Sequence, residues 1–545
     1  MKHKHPNLAV RSAFFTLATT VAAPVAIGAE PAVQGPESVS DWFDAGQEYI
    51  ENAKKLFPIR HRAKNVIFFV GDGMGVSTVT AARILEGQQM GKPGEEHSLF
   101  FEKLPYVALS KVYSWDQQTP DSAPTTTAMV TGYKARESML AVDHTTARYE
   151  CDPGVIASKS LETILEQAAH AGKDTGVVST ARLTHATPGA NYAHTAVRDW
   201  ESDSEIRSYE ETNGLPAGSC AVKDIARQLI ELTGGVKDSL KAALGGGRSY
   251  FQPDTLVDPE DGGTNVGRRK DGRDLTDEWV STRGPGAKFV YDRAGFDAAD
   301  PAATSHLLGL FERSHMEYEH DRPSDKGGEP SLSEMTAKAV QILSKKKKRG
   351  FYLHVESGRI DHAHHAGNPY RALTDTIEFA KAIQKAYEMT DPEETLIIVT
   401  ADHSHVFTIA GYPHRGNPIL GKVAEVPNVD GDPTELQSDA LGLPYTTLSY
   451  ANGPGYTGAS DVQPAGLKTF PHNPESFTNG ALRPDMTSVD TTVPTFMPES
   501  TVPLSSETHS GEDVAIYGSG PKAHLVRGVM EQNWIYHVMK EAFRF

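Results

Sequence analysis

The chain has 545 residues, with 53 Lys+Arg against 71 Asp+Glu and a formal net charge of −18. That balance argues against nonspecific nucleic-acid binding, which depends on cations that neutralise phosphates, so no nucleic-acid partner is expected. Only Cys151 and Cys220 are present, which excludes a Cys-rich metal site and leaves His and carboxylates to hold any transition metal.

In chain order, residues 1–29 read as an export signal. Lys2, Lys4 and Arg11 precede an apolar, Ala-rich run from Ser12 to Ile27, and Gly28 and Ala29 offer a small-residue cleavage site. The run is short and interrupted by Pro24, which argues against a membrane anchor. No later stretch approaches the roughly 18–20 apolar residues a span requires. Loss of the signal removes three cations and leaves a net charge of −21. The mature chain is expected to be soluble, without a membrane anchor, and periplasmic or secreted. Cys151 and Cys220 are expected to pair there.

Strand-like runs follow at Asn65–Val70, Tyr106–Val112, Thr175–Val178, Phe351–Val355, Leu396–Val399 and Val514–Tyr517. Helical patterns cover Ser77–Glu86, Ser160–Ala171, Asp224–Leu232, Ser331–Ser344, Tyr370–Met389 and Pro521–Phe543. This alternation predicts an α/β fold with a large, mostly parallel sheet flanked by helices on both faces. Ligands in such a fold gather at the carboxyl ends of the strands. Surface excursions are expected at about 252–300 and 405–505. Gln252–Asp300 is polar and Gly/Asp-rich, and Asn452–Ser505 carries eight prolines, so few backbone groups there are expected to join a ladder. Lys345–Arg349 reads as cations closing a helix before Gly350.

Five segments carry chemistry. In Asn65-Val-Ile-Phe-Phe-Val-Gly-Asp-Gly-Met-Gly, a buried strand delivers Asp72 between glycines; the phosphate-binding Lys of a nucleotide loop is missing. In Asp121-Ser-Ala-Pro, Ser122 stands where a helix N-cap is expected, and a helix N-terminus also stabilises a phosphoryl group or an alkoxide. No His lies near Ser122 in sequence, so activation by a metal is favoured over a base. In Val355-Glu-Ser-Gly-Arg-Ile-Asp-His-Ala-His-His, Asp361 and His365 stand four apart, one helical turn, a zinc half-site by spacing. Glu356 at its strand end is a harder oxygen donor, suited to magnesium. Thr400-Ala-Asp-His-Ser-His supplies Asp402 and His403 as a second pair. In Glu507-Thr-His-Ser-Gly-Glu-Asp-Val, His509 is placed to complete a site.

Together and in this order, these motifs resemble the alkaline phosphatase family from about Asn65 to Phe545, which implies a single catalytic domain over 30–545. His185 in Thr-His-Ala-Thr-Pro and His362 resemble the animal and marine-bacterial branch; the enterobacterial branch has Asp and Lys there. The resemblance implies hydrolysis of phosphate monoesters through a phosphoserine at Ser122. It implies one zinc on Asp361, His365 and His509, and another on Asp402, His403, Asp72 and the Ser122 oxygen. Magnesium would sit on Asp72, Thr187 and Glu356, with Arg198 gripping two phosphate oxygens and His185 and His362 tuning the magnesium and phosphate surroundings. A further calcium-like site is implied on Phe311 (by its carbonyl), Glu312, Glu329 and Glu260. Dimers are usual in the family, so homodimer and monomer both stay open. Three alternatives stand beside this reading: a sulfatase, against which Thr126 replaces the required Arg of C/S-x-P-x-R; a phosphodiesterase; and a noncatalytic exported metal- or phosphate-binding protein.

Overall fold

The computed structural model describes residues 38–260, 263–345, 348–426, 435–478 and 482–545. The export-signal expectation over 1–29 lies outside them. Ten strands form the main sheet. In chain order eight of them are β1 Asn65–Gly71, β2 Tyr106–Lys111, β3 Asp174–Arg182, β4 Leu240–Gly246, β5 Ala287–Val290, β6 His306–Leu310, β7 Phe351–Ser357 and β8 Thr395–Ala401. The strands Val514–Ser519 and Val529–Glu531 complete it. Across the sheet the order is Val529–Glu531, β2, Val514–Ser519, β8, β1, β7, β3, β4, β6, β5. From β8 to β5 every pairing is parallel, and Val514–Ser519 runs antiparallel to both β8 and β2.

Strand alternation divides the core. In β1, Ile67 and Phe69 join one apolar cluster while Val66, Phe68 and Val70 join the other, all with no exposed surface. Burying each such side chain contributes about 1.5–3 kcal/mol relative to exposure. On the first face pack helices Val76–Gln89, Leu332–Leu343 and Pro369–Glu388; on the second pack Ser122–Thr131, Ile164–His170, Ile225–Ile230 and Trp534–Phe543. A sheet buried on both faces reads as continuous apolar runs, as β1, β7 and β8 do. Among the described residues no helix is long and apolar enough to cross a membrane.

Three expectations need correction. Pro521–Phe543 is not one helix: a short 3-10 turn and the strand Val529–Glu531 precede the helix Trp534–Phe543, with Gly528 at φ +69° between turn and strand. Residues 252–300 do not stand apart from the ladder, because β5 lies among them and pairs with β6. Residues 405–505 also form ladders of their own, in which Leu448–Gly453 pairs with Phe407–Ile409 and with Ser500–Pro503. Cys151 and Cys220 are bridged, as expected, with their Cα atoms 4.6 Å apart.

Candidate metal centre and active site

Four neighbouring strands aim their carboxyl ends at one place. Asp72 follows β1, Glu356 is the penultimate residue of β7, Asp402 and His403 follow β8, and His185 and Thr187 follow β3. Register aligns them: Gly71 pairs with both Ser357 and Ala401, and Ser179 pairs with Glu356. Ser122 comes from the second face, as the first residue of helix Ser122–Thr131. The N-cap is Asp121, in extended conformation, and not Ser122 as its sequence position suggests. Asp121 makes no side-chain cap bond there; its carboxylate accepts from the Ser138 N–H at 3.2 Å and pairs with Arg198. Ser122 is placed inside the helix, with its Oγ turned to the strand ends.

Around Ser122 the donors are close. Its Oγ donates to Asp72 Oδ1 at 3.5 Å and lies 3.3 Å from His403 Nε2. That same nitrogen is 3.4 Å from Asp72 Oδ1 and 3.3 Å from Asp402 Oδ2. The fold therefore brings to Ser122 an imidazole that is distant in sequence. Beside this group, Asp361 Oδ1 is 3.3 Å from His365 Nε2 and 3.3 Å from His509 Nε2, and the two nitrogens are 3.0 Å apart. Each imidazole is tied at Nδ1 to a carbonyl that can only accept. His365 donates to Glu507 O at 2.5 Å, His509 to Pro120 O at 2.8 Å and His403 to Ser404 O at 3.3 Å. Their Nε2 atoms are left as the electron-pair ends, and in the Asp361 group two of them face each other. Such an arrangement is repulsive unless a proton or a metal cation shares it, and the donor set fits a divalent metal.

A third group, Asp72, His185 and Glu356, holds its ligand atoms within 4.8 Å of one another. Asp72 Oδ2, Glu356 Oε1, Thr187 Oγ1 and His185 Nδ1 are all buried without a hydrogen-bond partner, a costly state that a hard cation relieves. Burial and the neighbouring carboxylates Asp402, Asp361 and Glu356 push the Asp72 carboxyl well above its ordinary range. Burial and Asp402 push Glu356 up to about 7, although Ser179 donates to it. Burial likewise opposes ionisation of Asp361, but His365, His405 and His509 hold it well below the usual carboxylate range. Like charges crowded this closely and kept from water call for positive charge among them.

Arg198 stands at the rim. It is ion-paired to Asp121 and donates to His185 Nε2 at 2.8 Å. Burial and the Arg198 charge hold His185 neutral. His362 packs 5.5 Å from His185 and 4.0 Å from His315, between ring centres.

Sequence reading missed two buried residues that touch this centre. His405 places Nε2 2.8 Å from Asp361 Oδ1 and donates from Nδ1 to Glu507 Oε2 at 2.5 Å. Burial would lower its pKa, but Glu507 and Asp361 on either side raise it to about 10. Both lie inside motifs quoted above; the signal was the spacing of two between His403 and His405, which in an extended segment turns both rings to one side. Elsewhere, Glu260, Glu312 and Glu329 are drawn together with Asp325. Burial and the neighbouring acids push Glu312 up to about 8 and Glu260 up to about 7. Glu260 Oε1 and Glu329 Oε2 are buried and unpartnered, while Arg248 binds the other oxygen of Glu260 at 2.5 Å.

A family model for alkaline phosphatase matches residues 63–545. The tissue-nonspecific alkaline phosphatase of Gallus gallus is 42% identical over 93% of this chain and 90% of its own length. The alkaline phosphatase of Gadus morhua is 42% identical over 92% of this chain and 96% of its own. Among solved structures, alkaline phosphatase from Thermus thermophilus aligns with a TM-score of 0.59 at 22% identity, covering 90% of this chain and 93% of its own. The enzyme of the Antarctic bacterium TAB5 aligns at 0.54 and 21%, covering 89% and 99%. Similarity of this extent displaces the sulfatase, phosphodiesterase and noncatalytic alternatives. The chain belongs to the alkaline phosphatase family, enzymes that hydrolyse phosphate monoesters with divalent metal ions.

Proposed function

We propose that two zinc ions and one magnesium ion serve this reaction and that Ser122 carries the phosphoryl group as a covalent phosphoserine. The observation that supports it is the convergence of imidazole Nε2 atoms and carboxylates beside the Ser122 Oγ. Asp361, His365 and His509 form a nitrogen-rich set suited to zinc, and Asp402, His403, Asp72 and the Ser122 oxygen a second. Asp72, Thr187 and Glu356 offer oxygens suited to magnesium. Asp72 serves both, because Oδ1 faces Ser122 and His403 while Oδ2 is left over. The unpartnered His185 Nδ1 favours a second reading, zinc at the third site; magnesium titration in excess zinc separates the two.

Bound there, the cations supply Lewis-acid charge to the attacking and departing oxygens. Ser122 Oγ gives up its proton and attacks phosphorus in line, and the ester oxygen leaves as the alcohol after taking a proton. The Arg198 guanidinium, oriented by Asp121 and His185, neutralises two equatorial oxygens. Water then cleaves the phosphoserine, restoring Ser122 and releasing phosphate. Two inversions give retention at phosphorus. His185 and His362 act on this centre from outside the ligand set.

A calcium-like ion at Glu312, Glu329, Glu260 and the Phe311 carbonyl belongs to the same reading, supported by the two orphaned carboxylate oxygens. Export to the periplasm or the exterior is inferred from the 1–29 pattern together with the Cys151–Cys220 bridge. A homodimer is supported by exposed Trp42, Phe43, Tyr49 and Ile50 on helix Val39–Ala53, and light scattering decides it. The central test is acid quenching during turnover, followed by intact-mass analysis and metal counting. One phosphate on Ser122, two zinc and one magnesium are expected. An adduct on another residue, or full activity after chelation, refutes the mechanism.

A further inference from the structure

We propose that Glu507 is the positioning residue that fixes the affinity and lifetime of the ion held by Asp361, His365 and His509. The proposal rests on the metal reading above. Glu507 is 1% exposed, and every polar atom it owns is committed. Its N–H donates to His365 O at 2.9 Å, and its carbonyl accepts from His365 Nδ1 at 2.5 Å. Its carboxylate accepts from His405 Nδ1 at 2.5 Å and from the Val406 N–H at 2.8 Å.

One residue thus grips two imidazoles, one through its backbone and one through its side chain, in each case at Nδ1. Both rings are turned so that Nε2 faces Asp361 Oδ1, at 3.3 Å from His365 and 2.8 Å from His405. The side-chain branch runs Glu507, His405, Asp361: a carboxylate orients an imidazole, which orients the carboxylate that would meet the ion. The fold leaves the clamp little play. Gly453, at φ +123°, lies so close that a Cβ there would be 2.9 Å from the Cβ of Glu507. Glu507 also reaches the site two residues before His509, so one short segment delivers a ligand and the brace for its neighbours. Groups that hold a ligand from behind in this manner change metal affinity or activity by about 10–100-fold when removed.

The test uses the full-length metal-loaded enzyme, with release of zinc to a chromophoric chelator as the readout. Glu507→Gln keeps the volume and the backbone grip on His365 but presents an amide to His405 and no negative charge. It is expected to release one zinc per chain about 10–100-fold faster than wild type, leave the other ion's release unchanged, and lower kcat more than it raises KM. Metal-free Glu507→Gln should unfold within about 3 °C of wild type, the shift that one weakened charge-assisted hydrogen bond produces in so long a chain, which separates positioning from general loss of structure. Glu507→Ala should release the same ion faster still; if it does not fold, Glu507→Gln carries the test alone. Wild-type release from Glu507→Gln overturns the proposal while leaving the metal reading intact. If wild type binds no zinc that Asp361→Asn loses, the metal reading falls and the proposal with it.

Discussion

Gly73 has no side chain in the space that His405 occupies. A Cβ there would lie 2.3 Å from His405 Nε2 and 2.4 Å from Cδ2, at a φ of +65° where L residues are strained. Gly73→Ala therefore combines two costs. The left-handed backbone contributes about 1–2 kcal/mol. The contact drives the ring back by about 1 Å, since nonbonded heavy atoms rest about 3.5 Å apart. The ring cannot retreat and keep both its 2.8 Å bond to Asp361 and its 2.5 Å bond to Glu507. Losing one hydrogen bond to a charged group adds about 1.5–3 kcal/mol, for a total of about 2.5–5 kcal/mol. Gly91→Ala isolates the first cost, because Gly91 has φ +74° and nothing within 4 Å of the added Cβ. At about 2.1 cal/mol/K per residue, the unfolding entropy of so long a chain makes each kcal/mol worth only about 1 °C in Tm. Zinc release is the sharper assay. Gly91→Ala should release zinc as wild type does, and Gly73→Ala about 10–100-fold faster, with a matching loss of monoester turnover. Equal release rates in the two variants refute the reasoning.

Ser122→Ala should cost several orders of magnitude in kcat and abolish the acid-stable phosphate, because the covalent step is lost altogether; retained turnover excludes Ser122 as nucleophile. Arg198→Ala should lower kcat/KM for a monoester by one to two orders of magnitude, about 1.5–3 kcal/mol, and narrow the monoester/diester gap. Arg198→Lys should restore only part of this, and an unchanged ratio would make Arg198 structural. His194 donates to Glu166 at 3.1 Å and to the Ala141 carbonyl at 2.9 Å; burial opposes its charge, but these partners raise its pKa above the ordinary value. Its stabilising contribution is thus complete below about pH 6.5 and lost as pH rises through the raised folded value. The stability difference between wild type and Glu166→Gln should shrink over that range, and a pH-independent difference contradicts it. Reducing Cys151–Cys220, 69 residues apart, should cost at most about 4 kcal/mol by the loop-entropy estimate, measured by denaturant unfolding with and without reductant; two free thiols in unreduced, unfolded protein refute the bridge.

The central strands were legible because burial on both faces leaves unbroken apolar runs, as in Val66–Val70 and Leu396–Val399. β4 was not. Its Leu-Lys-Ala-Ala-Leu-Gly-Gly has no β-branched or aromatic residue, and pairing with β3 and β6 makes it a strand. Pro521–Phe543 misled because its apolar positions fit a helix, while tertiary pairing with β2 claims Val529–Glu531. In the site, Asp72, Asp361, Asp402 and His403 announced themselves by composition at strand and helix ends. His405 and Glu507 did not, because their roles depend on partners 44 and 102 residues away from His405. No local pattern encodes such a contact.

The centre draws on residues from Asp72 to His509, and His509 is itself anchored on Pro120, 389 residues earlier. A chain emerging from a ribosome or threading through a pore displays Asp72 and Ser122 long before the last imidazole exists. Until Glu507 and His509 arrive, the Asp361 half of the centre has one of its imidazoles missing and another unbraced. On the proposed ligand set, capture of the ion at Asp361 is therefore a late event in biogenesis, and an ion held tightly there certifies that the chain has been delivered and folded through His509. Chains truncated before Glu507 should leak zinc however well their first strands have formed.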